Sequence, residues 1–531
     1  MNRSDFLGIP GSIYQATVSG DGNYTKMMTM KKNKFFFNLF GVAIVAFWLV
    51  MIGLLVKKIH FKDHPVSIDY GDPLDTAGTI DSPQREWKEI YLNDKKVGYA
   101  VNMIKPFRGG YFIQEEVFLK LNLMGMASGI HTITQSRIDN RFLLKSFNFG
   151  MTSGVVRFDI TGRVEGGELL IETGKGRDRR ARKIKLSGTP MIGSGMGYFF
   201  KSKKINVGET FRLPIFDPST MAQKEAVIRV VERESITINK RRHNAFRLET
   251  EMWGRLMKFW LDEDGTTLKE EGFMGLTIVK SSAANAPRDL EVQGEEDVDF
   301  YEMVAIKLDK KLPDPSRLSY LKLKVDGIDN ARISPDVLNS GRQKFHGGTI
   351  EIEKENLPFK ASYLLPYEDK SDEMKTFLEP EFNIESDEKE IIKKAQEISG
   401  KDKNPLSVAR KLLNWVYRKL EKRPVVVVPS ALEVLRTRVG DCNEHATLLT
   451  ALLRAAGIPS RLSVGLVYTR GKFFYHAWSE AYLGEWVSMD ATLNQMPVDA
   501  THIKLVQGNL NKQLEIAGLI GTLNLKVLHY R

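Results

Sequence analysis

A single cysteine, Cys442, stands in a chain of 531 residues, within the run Gly440-Asp441-Cys442-Asn443-Glu444-His445. A thiol attacks as its thiolate, so the surroundings decide whether this one can do chemistry. Asp441 is a good helix N-cap, and Glu444 three residues later completes a capping-box pattern. Ala446, Leu448, Leu449, Leu452, Leu453 and Ala456 follow at helical spacing, and Gly457-Ile458-Pro459 ends the run. The pattern predicts a helix with Cys442 in its first turn, beside unpaired N–H groups and the positive end of the dipole. That end supplies roughly 0.3–1 kcal/mol, at most ~2, or about one pKa unit. A thiolate abundant at neutral pH needs a paired imidazolium as well.

A histidine lies on the next hairpin. Residues 473–482 and 486–490 read as strands, and Tyr482-Leu483-Gly484 fits a three-residue loop with glycine in the left-handed position. This register places His476 directly opposite Asp490, with Cβ atoms ~4.5–5.5 Å apart, close enough for the carboxylate to hold an imidazole N–H. A slip by one residue would turn Asp490 to the other face. Each residue also has a plainer reading. A lone cysteine is often a small buried hydrophobe, a strand histidine a core residue, and an aspartate closing a strand a turn former. His445, one turn beyond Cys442, could ligate a metal with Cys442 and Glu444, but zinc wants three or four protein ligands and no others are near in sequence. Trp478 and Trp486 suit either the wall of a substrate cleft or buried packing.

The segments GDCNEHATLLTALLRAAGIPSRLSVGL (440–466), FYHAWSEAYLGEWVSMDAT (474–492) and PVDATHIKLVQG (497–508) resemble the transglutaminase-like superfamily of papain-fold enzymes. The resemblance covers roughly residues 386–528. It implies Cys442 as nucleophile, His476 as general base and acid, and Asp490 as the group that orients the imidazole. It further implies acyl transfer from an amide or peptide bond through a thioester, with a protein or peptide as substrate. Hydrolysis and cross-linking both occur in the superfamily. Animal transglutaminases use calcium; no calcium loop is legible here, so no cofactor and no metal are expected. An ion pair between Cys442 and His476 would make alkylation fast already below pH 7.

The elements that must position these groups are helical before the cysteine. Residues 387–399 and 406–420 read as helices, the second presenting Val408, Leu412, Trp415 and Val416 on one face. Ser430 and Glu433 form another capping box before a short helix to Arg438. Packed on the sheet of residues 461–490, these helices make an α+β catalytic domain at 386–531, including a C-terminal extension. Upstream, turn signals at Asn93-Asp94, Arg108-Gly109-Gly110, Asp139-Asn140, Glu165-Gly166-Gly167 and Glu263-Asp264-Gly265 punctuate some two hundred β-like residues. They predict a mainly antiparallel β-rich domain at 86–295, followed past a polar break by a small β module at 300–383.

Before these lies a flexible tail at 1–34, then an apolar run at 35–56 with no charged residue and Asn38 as its one polar side chain. At 1.5 Å per residue it spans a ~30 Å hydrocarbon core, so a single transmembrane helix is expected, followed by a linker at 57–85. Lys57-Lys58 stands where a cleavage site would be needed, which argues against a removed signal. Four lysines before the span and three after it barely discriminate orientation. The short leading tail favours a body facing outward, in the periplasm or outside the cell membrane. The rest of the composition, 42% hydrophobic and 27% charged with net charge +11, is that of a globular protein.

Two other features are weighed against function. Gly193-Ser194-Gly195-Met196-Gly197 lacks dinucleotide-fingerprint spacing and reads as a flexible loop. The basic run at 175–183 could contact nucleic acid, but a body outside the cytoplasm makes a solvated hairpin or anionic headgroups the better reading, and no nucleic acid is expected. The alternative to an enzyme is a membrane-tethered envelope binding or assembly protein with a non-catalytic domain of this fold.

Overall fold

A computed structural model describes residues 80–531 apart from 174–179, 253, 273–274, 291–298, 329–332, 358–362, 369–370, 427–429, 509–515 and 517–518. The expected span at 35–56 lies outside the described residues, as do the tail and most of the linker. Among the described residues no helix is long and apolar enough to cross a membrane.

The turn signals of the β-rich region separate the strands of one fifteen-stranded sheet. Strands from Gln84–Leu92 to Arg180–Lys185 meander outward in chain order. Those from Met191–Ile192 to Leu276–Ser281 form the other half, and the last of them pairs with Gln84–Leu92, with Trp87 opposite Ser281. All neighbours are antiparallel except Met191–Ile192, which runs parallel to Thr210–Asp217. Hairpin twist requires positive φ at the tight turns, and Asn93 and Asp94 adopt it at 48° and 65°. Inward side chains of both halves, among them Ile104, Ile113, Ile138, Leu213, Ile228 and Leu248, meet in one core.

One expectation changes here. Gly193–Gly195 is a 3-10 turn leading into the helix Met196–Lys201, not a free loop, because Tyr198, Phe199 and Phe200 are drawn into that core. The described end of the basic run is an edge strand with carboxylate partners. Arg180 pairs with Glu388, Arg182 lies 3.9 Å from Asp387, and Lys183 lies 2.8 Å from Glu168.

The C-terminal helices form nearly where the periodicity puts them: Lys389–Ser399, Pro405–Lys419, Ala431–Thr437 and Cys442–Ala455. Asn404 caps the second by accepting from the Ser407 N–H at 3.1 Å, with Pro405 at the first helical position where its missing N–H costs nothing. Val408, Leu412, Leu413 and Val416 are buried along its inner face. These helices adjoin a sheet in which Lys472–Tyr482 pairs with Ser460–Thr469 and Ser460–Thr469 with Ile503–Gln507. Ile306–Lys307 and Trp486–Met489 both pair with Lys472–Tyr482, near its opposite ends.

Strand pairing crosses the boundary expected near residue 385. Asn524–Tyr530 joins a four-stranded sheet with Tyr320–Asp326, Thr349–Glu353 and Gln343–His346, and one hydrophobic core runs through both regions. The C-terminal extension packs on the domain through the strand Asn524–Tyr530. The β-rich region reaches the same domain through the packing of Val156 against Val425 and Val439, and through the Val426 N–H donating to Ser153 Oγ at 3.1 Å.

Candidate active site

Cys442 opens the helix Cys442–Ala455 with the capping box in place. Asp441 accepts from the Asn443 N–H at 3.0 Å, and Glu444 Oε2 accepts from the Asp441 N–H at 2.9 Å. Gly440 is required for this entry, since a Cβ there would lie 2.2 Å from the Glu444 Cβ. The helix is seated on the histidine strand by buried hydroxyls. Ser479 Oγ donates to the Ala446 carbonyl at 3.1 Å and lies 3.0 Å from Thr450 Oγ1. Behind His476 stands Gly465, whose added Cβ would come 1.8 Å from the Ile503 carbonyl oxygen, so only glycine lets the next strand approach.

His476 Nε2 lies 2.7 Å from Asp490 Oδ2, with both residues buried. The hairpin reaches this by a register different from the expected one. Tyr482 pairs with Trp486 and Ser479 with Met489, a shift of two residues. An even shift keeps Asp490 on the His476 face, and a diagonal neighbour is still within reach of long side chains. Asp490 is also a turn former. Its Oδ1 accepts from the Thr492 and Leu493 N–H groups at 2.7 and 3.1 Å, and its backbone exchanges hydrogen bonds with Gln495. One oxygen holds the turn and the other the imidazole.

With Nε2 committed to Asp490, Nδ1 is the ring nitrogen left for a proton from the thiol. The Ala477 N–H favours the thiolate, but it is outweighed. Burial first, then the carboxylates of Asp441, Glu444 and Asp490, push the thiol well above its ordinary range. The sequence argument counted the helix dipole and omitted these acids, which act against a thiolate. Tyr301 closes this side, its hydroxyl donating to Asp441 Oδ2 at 2.6 Å.

Of the other residues singled out, His445 is fully buried with Nδ1 2.6 Å from the Asp441 carbonyl oxygen, a structural position. Trp478 is buried and stacks against His476 at 6.4 Å between ring centroids. Trp486 lies beneath the Arg461 guanidinium, 3.8 Å from its ring centroid, and beside Phe377. Both follow the packing reading.

Sequence reasoning missed His502. Its Nε2 lies 3.1 Å from Asp490 Oδ2, the oxygen that also meets His476, and its Nδ1 lies 3.4 Å from Asp499 Oδ1. The available signal was the Asp499-Ala500-Thr501-His502 run, with an acid and an imidazole three residues apart at the start of an apolar strand. The ligand atoms of His476, Asp490 and His502 fall within 4.8 Å of one another, a spacing that could hold a metal ion. Asp490 Oδ2 already meets both imidazoles, which leaves the set coherent as it stands.

Residues 392–491 match the transglutaminase-like superfamily. No curated protein matches the chain at a significant level. Among solved structures, a candidate cysteine protease from Cytophaga hutchinsonii is similar at 19% identity, over 40% of this chain and 87% of that one, with a TM-score of 0.28. A β-barrel-like domain of unknown function from Brucella abortus is similar at 12% identity, over 38% and 95% of the two chains, with a TM-score of 0.29. A candidate protease from Parabacteroides distasonis is similar at 12% identity, over 72% and 70%, with a TM-score of 0.19. Likenesses this slight say nothing of what the chain acts on.

Proposed function

We propose that the transglutaminase-like domain at 392–491 makes this chain a membrane-anchored thiol acyl-transfer enzyme acting on amide or peptide bonds. The observation that carries the reading is the buried 2.7 Å contact of His476 with Asp490, on a strand that Ser479 ties to the helix opened by Cys442. In the proposed cycle His476 Nδ1 takes the thiol proton as sulfur attacks the carbonyl carbon. The tetrahedral intermediate collapses to a thioester as the C–N bond breaks, and the imidazolium protonates the departing amine. Water or a second amine then takes the acyl group, giving hydrolysis or cross-linking. The Cys442 backbone N–H, at the start of the helix, is the proposed donor to the oxyanion.

Alkylation of Cys442 tests the base. Because this is the chain's only cysteine, iodoacetamide labelling reports on it alone. With a neutral thiol at rest, reaction near pH 7 depends on His476 accepting the proton. His476→Ala is expected to slow labelling there by at least ~10-fold, the scale of modest general-base assistance. The two profiles should converge at high pH, where hydroxide deprotonates the thiol unaided. Superimposable profiles from pH 5 to 10 would remove the base, and with it the enzyme reading, leaving a tethered binding or assembly protein.

The anchoring is proposed from the uncharged apolar run at 35–56, with the large C-terminal body facing the periplasm or the outside of the cell membrane. Reporter fusions after residues 20 and 531 check it. A reporter after 531 should be silent if it works only in the cytoplasm. Cytoplasmic activity at that end overturns the orientation.

A further inference from the structure

His502 sits in a closed ring of hydrogen bonds. Asp490 exchanges backbone bonds with Gln495 at 2.9 and 3.0 Å. Gln495 Nε2 donates to Asp499 Oδ2 at 2.8 Å, and its Oε1 accepts from the Asp499 N–H at 2.9 Å. Asp499 Oδ1 accepts from the Thr501 N–H and hydroxyl at 2.8 and 2.6 Å and lies 3.4 Å from His502 Nδ1. His502 Nε2 closes the ring on Asp490 Oδ2 at 3.1 Å. His502 is 1% exposed, and Trp478 packs edge-on to its imidazole at 5.4 Å. An ionised carboxylate can only accept a hydrogen bond, so a ring facing one at each nitrogen donates from both and carries a positive charge.

We propose that His502 is a positioning residue. As a buried cation held by Asp499, it clamps Asp490 Oδ2 and thereby sets both the orientation of His476 and the charge it meets. This rests on the reading of His476 as the base. The groups facing His502 are Asp490, Asp499 and His476. The two carboxylates carry two negative charges and His502 supplies one positive. One negative charge is left to stabilise the imidazolium that forms on His476 as the thiol gives up its proton. Without His502, both charges would bear on His476, which would hold a proton at rest and be a poorer base. Orientation would suffer too, since Asp490 Oδ2 would lose one of its two fixed partners.

The test uses the full-length chain and iodoacetamide labelling of Cys442 between pH 5 and 10. His502→Gln is expected to slow labelling at pH 7 by about tenfold, the equivalent of one pKa unit, and to move the near-neutral rise to higher pH. Combined with His476→Ala, it should add nothing, because its effect passes through that ring. A change that were only structural would lower stability without moving the pH profile, or would add to His476→Ala in full; either result overturns the proposal. His502→Asn, a smaller amide that likewise removes the positive charge, should shift the profile in the same direction and decides the matter if His502→Gln fails to fold. An effect of His476→Ala with none of either His502 variant rejects this inference alone. No effect of His476→Ala rejects the underlying enzyme reading. Dialysis against EDTA should leave the wild-type profile unchanged. One bound divalent ion per chain, whose removal alters labelling, would make the cluster a metal site instead.

Discussion

Asp490→Ala is expected to cost about 3–5 kcal/mol of stability, the scale for removing one member of a buried charge pair. It should also lower turnover by roughly 10³–10⁴, the scale for losing the orienting acid of such a triad. The side chain is fully buried and accepts at both oxygens, from the Thr492 and Leu493 N–H groups and from two imidazoles. Burial by itself would raise its pKa, but His476 and His502 hold the carboxyl well below the usual range. A depressed carboxyl contributes stability above its unfolded pKa and loses it as pH falls through the folded value. The Asp490 contribution is therefore intact at neutral pH and fades only in acid, below about pH 4. His502 has the opposite sign. Its carboxylate partners overcome burial and raise its pKa, so its contribution is complete below ~6.5 and is lost as pH rises through the folded value. Denaturant unfolding at pH 5 and pH 8 should show Asp490→Asn less damaging than Asp490→Ala, since the amide oxygen can still hold the turn. A loss under ~1 kcal/mol for Asp490→Ala would mean that the shared carboxylate is not fixed as described.

How much of this could be read without coordinates depends on whether the contact is local. The capped helix at Cys442 and the three helices before it follow from spacing and cap chemistry, and each formed within two or three residues of its expected bounds. The hairpin register was legible only to parity. Face alternation fixes which side Asp490 takes, but the position of the three-residue loop decides the pairing, and Leu483 to Glu485 became the connection in place of Tyr482 to Gly484. The Asn524–Tyr530 strand had its own signal, Leu525 and Val527 alternating with polar neighbours, yet its partner lies some two hundred residues upstream. The pairing of Gln84–Leu92 with Leu276–Ser281 is equally remote and leaves no local mark. His502 shows the same limit at the site itself, because a second ligand to Asp490 becomes visible only once the 490–502 loop is folded back. The groups acting against a Cys442 thiolate were missed for a different reason. Asp441 was counted as a cap and not as a charge.

The non-local pairing bears most heavily on where the catalytic unit begins. Residues 386–531 alone are expected not to unfold cooperatively, whereas 300–531 should. Leu525 and Val527 are buried against Leu321, Leu323 and Val325, which the shorter chain lacks. Gln343, 1% exposed, donates from Nε2 to the Lys504 carbonyl and accepts from the Lys504 N–H, both at 2.8 Å. Arg342 bonds the carbonyls of Val498 and Asp499, and Glu355 accepts from the Ser488 N–H and hydroxyl at 3.1 and 2.6 Å. The strand before Asp490 and the loop carrying Asp499 and His502 are thus held from residues 342–355. Stripping the small sheet exposes several apolar side chains worth ~1.5–3 kcal/mol each, against a typical total stability of ~5–15 kcal/mol. It also leaves the Lys504 backbone groups without their amide partner. Thermal or urea unfolding of both lengths, followed by near-ultraviolet circular dichroism, separates the cases. A sharp transition in 386–531 would make the small sheet an accessory. Failure of both would place the β-rich region, through Ser153 and Val156, inside the same folding unit as the triad.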